Sequence, residues 1–208
     1  MKKVNKQNLK LQIIGAAREV LLGEGYRDLS LRKVARKIGV SATSIYLHFD
    51  SKDDLVHSLI EAAIERLNDS LESALPDDGD PINKLEMLAW TYVDFALSHP
   101  REYQVIYLVS SDEMTRYPKE KFRKARKGYR LVLQVLQEGI KEGTVDEQKP
   151  RIASYTFWAQ LHGILSVVLS KRLDSRIDQE EFIEEAIDHI ISGYRQKTSL
   201  EAEEVDRI

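Results

Sequence analysis

LSLRKVARKIGVSATSIYLHF, residues 29–49, decides how the rest of the chain is read. It has the form of two short helices joined by a tight turn. Ser30 is placed to cap the first helix, its side-chain oxygen taking one of the N–H groups that lack partners in a first turn. Val34, Ala35 and Ile38 then make a small apolar face at helical spacing. Gly39 stands where the helix must stop, because a left-handed backbone costs glycine nothing in steric clash. Val40 can plug the angle between the helices. Ser41 is placed to cap the second helix, expected to reach Phe49, with Ile45 and Phe49 one turn apart on its inward side. Two short helices meeting steeply across a glycine turn form a helix-turn-helix.

The charge pattern supports that reading. Asp and Glu number 34 of 208 residues, yet none lies between Asp28 and Asp50. Arg32 and Lys33 fall in the first turn of the first helix, where the macrodipole favours carboxylates. This placement is unfavourable for the helix alone and becomes favourable when a polyanion approaches. Beside Ser30 and Ser41, the outward Ala42, Thr43, Ser44, Tyr46, Leu47 and His48 present small, hydroxylic and aromatic groups. Such groups suit base edges, thymine methyls and phosphates. The plainer alternative is a two-helix corner with a solvated basic face.

The whole chain has a net charge of −3, which looks wrong for a nucleic-acid binder until it is divided. Residues 1–52 hold 11 Lys and Arg against 4 Asp and Glu, a net of +7; the remainder holds 20 against 30, a net of −10. A basic end on an acidic body implies a polyanionic partner for the first part only. Only 10 Gly and 5 Pro, without two-residue alternation, point to an all-α protein. The absence of Cys excludes disulfides, thiolate zinc sites and cysteine nucleophiles. Arg18 and Glu19 interrupt the apolar run near the start, and no stretch approaches the roughly 18 consecutive apolar residues of a membrane helix. A cytoplasmic protein with no membrane partner is expected.

Residues 1–7 read as a basic arm. Asn8 can cap a first helix, ended near Leu22 by Gly23 and Gly25, with Ile13, Ile14, Ala17, Val20 and Leu21 inward. Ser51 caps a linking helix over about 51–74, with Asp54 in a capping-box position. PDDGDP, residues 76–81, is the clearest break. Asp80 and Pro81 open the next helix, and His99-Pro100 forces a corner before a short one. Longer helices are expected over about 119–142, 150–172 and 179–194. The division expected is a DNA-binding head over residues 1–52 and a helical body over 53–208.

The head resembles the TetR family of bacterial transcriptional regulators. The matching stretch is AAREVLLGEGYRDLSLRKVARKIGVSATSIYLHFDSKDDL, residues 16–55, with Gly25-Tyr26, Gly39-Val40-Ser41, Tyr46 to Phe49 and Ser51-Lys52 in the family's positions. The resemblance implies that Tyr46, His48 and Lys52 grip phosphates and that Arg32 reads a guanine or binds backbone. Thr43 stands where the family often has glycine, and Leu31 where a phosphate-binding hydroxyl is common. TFWAQLHG, residues 156–163, resembles the subgroup named for a Trp, His-Gly motif, as does YVDFALSHPREYQVIY, residues 92–107. The resemblance implies a body that binds a small-molecule effector and forms a homodimer.

Tyr92, Phe95, Tyr103, Tyr107, Trp158 and His162 are the candidate ligand-binding groups, apolar walls with a few polar tips. Core packing is the competing account of each. Leu161, Leu165 and Val168 on one helix, and Phe182, Ala186 and Ile190 on the last, are the candidate dimer contacts, two helices from each subunit facing their copies. No phosphate loop, HExxH or nucleophile elbow is present, so no catalytic residue, cofactor or metal is expected. His57 with Glu61 and Glu185 with His189 are one turn apart but belong on solvated faces. The expectation is a dimeric repressor of operator DNA, released by a small, mostly hydrophobic ligand. The alternative is a regulator without such an effector, controlled by a protein partner, for which the basic run over residues 119–130 could be a docking surface.

Overall fold

The computed structural model describes residues 6–107 and 126–195. It is all-α: no strand occurs among the described residues, only an isolated bridge between Val145 and Arg195. The helices are α1 (Lys6–Asp28), α2 (Leu31–Ile38), α3 (Ala42–Tyr46), α4 (Lys52–Ala74), α5 (Pro81–Ser98), α6 (Pro100–Tyr107), α7 (Lys127–Glu142), α8 (Pro150–Leu169) and α9 (Gln179–Ser192). The expected arm over residues 1–5, the start of the 119–142 helix, most of the 119–130 basic run and the tail beyond residue 195 lie outside the described residues.

Two compact units form. Among the described residues the first holds 6–66 and 99–107, and the second 67–98 and 126–195. The sequence boundary at residue 52 therefore differs from the structural one. Its physical cause is the head core, which includes Leu55, Val56, Leu59, Ile60 and Ile64 of α4 and Val105 of α6. Helices α1–α3 alone offer a small core, which α4 and α6 enlarge.

In the first unit, α1 buries Ile13, Ala16, Ala17, Val20 and Leu21, a continuous stripe at helical spacing. Two details depart from expectation. The helix starts at Lys6, so Asn8 sits inside the first turn and accepts from the Gln12 side chain at 3.3 Å rather than capping. The helix also passes through Gly23 and breaks only at Gly25 (φ 86°, ψ 172°). A glycine inside a helix costs about 1 kcal/mol and need not end it; a positive φ does. Glu102 of α6 is buried and accepts from Arg18 Nη1 of α1 at 2.9 Å and Arg66 Nη1 of α4 at 2.8 Å. One carboxylate thus ties three helices of this unit.

In the second unit, Asp80 Oδ1 caps α5 by accepting from Ile82 N at 2.7 Å and Asn83 N at 3.1 Å, with Pro81 in the first turn. Leu85, Leu88, Tyr92 and Phe95 are buried as the spacing predicts. Lys84 is buried and donates to Glu138 Oε1 at 2.9 Å, joining α5 to α7. Gly139 has no room for a side chain, because an added Cβ would collide with Val145. By length and composition α8 could cross a membrane, contrary to the expectation that no segment qualifies. That expectation counted consecutive apolar residues, whereas Ser, Thr, Gln and His lower the average here without breaking it. In the structure Ala153, Phe157, Leu161, Leu165 and Val168 of α8 are core residues, and the helix packs on α5, α7 and α9.

Candidate nucleic-acid interface

The interface begins with the caps. Ser30 Oγ accepts from Lys33 N at 3.2 Å, and Ser41 Oγ accepts from Ser44 N at 3.2 Å. Gly39 takes the left-handed conformation (φ 71°, ψ 31°), and the next N–H, of Val40, donates back to Ala35 O at 3.0 Å. These local bonds set the angle between α2 and α3. Val34, Ala35, Ile45 and Phe49 are buried beneath that corner. The second helix is shorter than expected, five residues ending at Tyr46. His48 N and Phe49 N both donate to Ile45 O, closing a turn. The chain must turn there because Phe49 has to reach the core while Ser51 starts α4, its Oγ accepting from Asp54 N at 3.0 Å.

The residues expected to face DNA are exposed or half-buried, and Ala42 packs partly against the core of the first unit. Ser30, Arg32, Ser41, Thr43, Tyr46 and Leu47 are exposed, and Lys33, Ala42, Ser44, His48 and Lys52 are half-buried. Leu47 is 76% exposed, a large apolar side chain with no support from its own fold. An apolar group held out in that way is suited to a thymine methyl.

The cations are not equivalent. Lys33 pairs with Glu24, and Lys37 Nζ lies 3.0 Å from Glu19 Oε2, both partners on α1. Lys52 Nζ donates to Tyr26 O at 3.1 Å and sits 3.9 Å from the centre of the Tyr26 ring, whose hydroxyl donates to Asp53. A phosphate at Lys52 would share an ammonium already engaged by the Tyr26 carbonyl and ring. Arg32 and Arg36 form no ion pair among the described residues, and both are exposed. Arg36 and Lys37 are absent from the residues expected to meet DNA, although their position one turn after Arg32 and Lys33 on α2 signals them.

The candidate ligand residues divide between the units. Tyr103 and Tyr107 belong to the first, where their rings pack at 4.9 Å. Tyr92, Phe95, Trp158 and His162 belong to the second. There Trp158 Nε1 donates to Tyr92 Oη at 3.0 Å and stacks on His162, ring centres 5.1 Å apart at 14°. Tyr129 packs on Trp158 at 5.6 Å and stacks on Tyr155 at 4.4 Å. Burial holds the His162 imidazole below its ordinary pKa, favouring the neutral ring. Tyr129 and Tyr155 were missed, although Tyr155, Trp158 and His162 fall at i, i+3 and i+7 on one face of α8.

The candidate dimer contacts fare differently. Leu161, Leu165, Val168 and Ile190 are buried inside a single chain, so their surface is already spent on the core. Phe182 and Ala186 are half-buried. The inward and outward faces of α8 are both apolar enough that spacing alone does not separate them.

Residues 13–59 match the model for bacterial regulatory proteins of the tetR family, and residues 85–190 match a tetracyclin repressor-like C-terminal domain. The chain belongs to the TetR family. The second match covers the body without bearing on the Trp, His-Gly subgroup. This TetR-family chain is 26% identical to the fatty acid metabolism regulator protein of Bacillus subtilis over 138 residues, 66% of the chain and 71% of that relative. It is 23% identical to the nucleoid occlusion factor SlmA of Edwardsiella ictaluri over 184 residues, 86% of the chain and 92% of the relative. With the SlmA of Aliivibrio fischeri MJ11 the identity is 31% over 96 residues, 46% of the chain and about half (49%) of the relative. Among solved structures, a protein of unknown function from Rhodococcus sp. RHA1 superposes with a TM-score of 0.79 at 23% identity, covering 94% of this chain and 100% of that one. The fatty acid degradation regulator FadR from Bacillus halodurans gives 0.71 at 24%, covering 95% and 100%. These structural likenesses show the fold. As a member of the family, the protein is a transcriptional regulator with a helix-turn-helix DNA-binding region.

Proposed function

We propose that the protein is a cytoplasmic, homodimeric repressor that leaves its operator when a small, mostly hydrophobic ligand occupies the second unit. The observation that carries the DNA half is the α2–α3 corner, where an acid-free run presents Arg32, Thr43, Tyr46 and Leu47 outward on a buried apolar base. Two such corners in a dimer read half-sites about one duplex turn apart, roughly 34–36 Å. Affinity comes largely from phosphate contacts and falls steeply with salt.

The aromatic group of Tyr92, Tyr129, Tyr155, Trp158 and His162 supports the ligand half. It offers apolar faces with few polar tips and a neutral imidazole. Two of the similar proteins are named as regulators of fatty acid metabolism or degradation. The ligand class assigned here is therefore a fatty-acyl compound. Such a ligand releases DNA only if it binds the two states of the dimer with different affinity.

The similarity to SlmA over most of that relative's length favours a second reading, a DNA-binding regulator governed by a protein partner and not by a small molecule. The experiment that separates them is release of a promoter fragment from the native genome, followed by fluorescence anisotropy. Saturable release by long-chain acyl-coenzyme A or free fatty acids supports the first reading. A stable complex throughout that series supports the second. No preference for any native promoter over random DNA contradicts both.

A further inference from the structure

A groove of about 280 Å³ runs between α5 and α9 of the second unit, apart from the aromatic group around Trp158. It is lined by Glu86, Trp90, Glu184, Ile187, Asp188 and Ile191. The lining is built from three helical repeats. Glu86 and Trp90 lie one turn apart on α5, Glu184 and Asp188 one turn apart on α9, and Ile187 and Ile191 one turn apart on α9. The two isoleucines are buried and form the apolar floor. Trp90 is 38% exposed, so an indole ring stands open beside three carboxylates.

None of these carboxylates forms an ion pair among the described residues. A purely solvated acidic face would explain the charge, but the groove also sets an indole face and an apolar isoleucine floor beside it. A metal ion does not explain the set either. Among the described residues no three Asp, Glu or His side chains converge closely enough to hold one. The charge is spread around a volume far larger than a bare ion, and one wall is an aromatic face. A positive charge on a bulky organic group satisfies all of these features. Indole is the strongest aromatic partner for such a cation, and the contact strengthens where carboxylates add Coulomb attraction.

We propose that this groove binds an organic ammonium ion, a quaternary or alkyl-substituted amine. Its cationic centre lies against Trp90 among Glu86, Glu184 and Asp188, and its hydrocarbon part lies on Ile187 and Ile191. The volume fits a small molecule near the lower end of ordinary ligand sites. This site is distinct from the fatty-acyl site proposed above and does not depend on it.

The chain has only two tryptophans, Trp90 and Trp158, so Trp158→Phe in the full-length protein leaves Trp90 as the sole indole reporter. Titration with hexyltrimethylammonium chloride should change Trp90 emission saturably, while hexanol at equal concentration should not. The double variant Glu184→Gln/Asp188→Asn, at two exposed positions, should weaken the response by at least about tenfold. In the parent chain, Trp90→Phe should abolish it, which guards against a fold effect of the Trp158 change. An equal response to hexanol, an unchanged response in the double variant, or no saturable response overturns the proposal. So does Trp90 emission that varies with protein concentration and not with the ammonium ion, which would assign the groove to contact between subunits.

Discussion

The α2–α3 corner and the α8 helix use their residues in opposite ways. In α3 only Ile45 is fully buried, and two serine caps and a glycine turn leave Thr43 and Tyr46 exposed. In α8, six residues are buried, Trp158 Nε1 is tied to Tyr92, and the half-buried His162 stacks on the Trp158 ring. The corner works through what its fold leaves outside, and the second unit through what its fold encloses. Function in the first is therefore sensitive to charge and salt, and in the second to shape and solvation. Substitutions should separate the two.

The largest effect is expected where the corner rests on its core. Ile45→Ala should destabilise the first unit by about 2–5 kcal/mol and abolish DNA binding, read by thermal melting and anisotropy. A fully stable Ile45→Ala protein would break the claim that one buried residue holds α3 in place. Next is the carboxylate that joins α1, α4 and α6. Glu102→Gln keeps the shape and removes the charge, and should cost roughly 1–3 kcal/mol, discounted for the partial exposure of both arginines. An unchanged denaturant midpoint would show that packing alone holds those helices.

A matched pair sharpens the comparison further. Tyr46→Phe should weaken operator binding by about 1 kcal/mol with no loss of stability. Trp158→Phe, which removes the donor to Tyr92, should cost about 1 kcal/mol of stability with DNA affinity retained. If either change moves both quantities, the division of labour fails. Arg32→Ala should lower the salt slope of binding by about one, and Lys52→Ala by less, because Tyr26 already holds that ammonium. The smallest effect concerns pH. The folded pKa of His162 is lowered by burial, so the unfolded chain takes up its proton first as pH falls. Stability should decline as pH drops below about 6.5, the unfolded histidine value, toward the lower folded one. His162→Gln should flatten that decline in melting curves; an unchanged decline would contradict the assignment.

The head was legible because its signals are local. Ser30, Gly39 and Ser41 act on residues within a few positions, so caps and turn can be read in order along the chain. The absence of acid between Asp28 and Asp50 is equally visible. Pairings such as Lys33 with Glu24, and Lys52 with Tyr26, were not visible, since they join side chains across a corner whose angle is set by packing. In the second unit the helices were legible from spacing, but the site was not fully so. Tyr92 and Trp158 meet across 66 positions, and only the fold brings Tyr129 to them. The buried Leu161 and Leu165 looked available for a partner because apolar spacing does not say which neighbour covers a face. By the same limit, spacing alone groups residues 53–66 and α6 with the body, although Leu55, Leu59 and Val105 complete the head core.

The most direct test of the whole account is a hydroxyl-radical footprint of the full-length protein on its operator. Paired corners predict two protected patches on one face of the duplex, centred about 10–10.5 base pairs apart or a whole multiple of that, and lost together in Arg32→Ala at raised salt. A single patch, or protection without helical phasing, would contradict it.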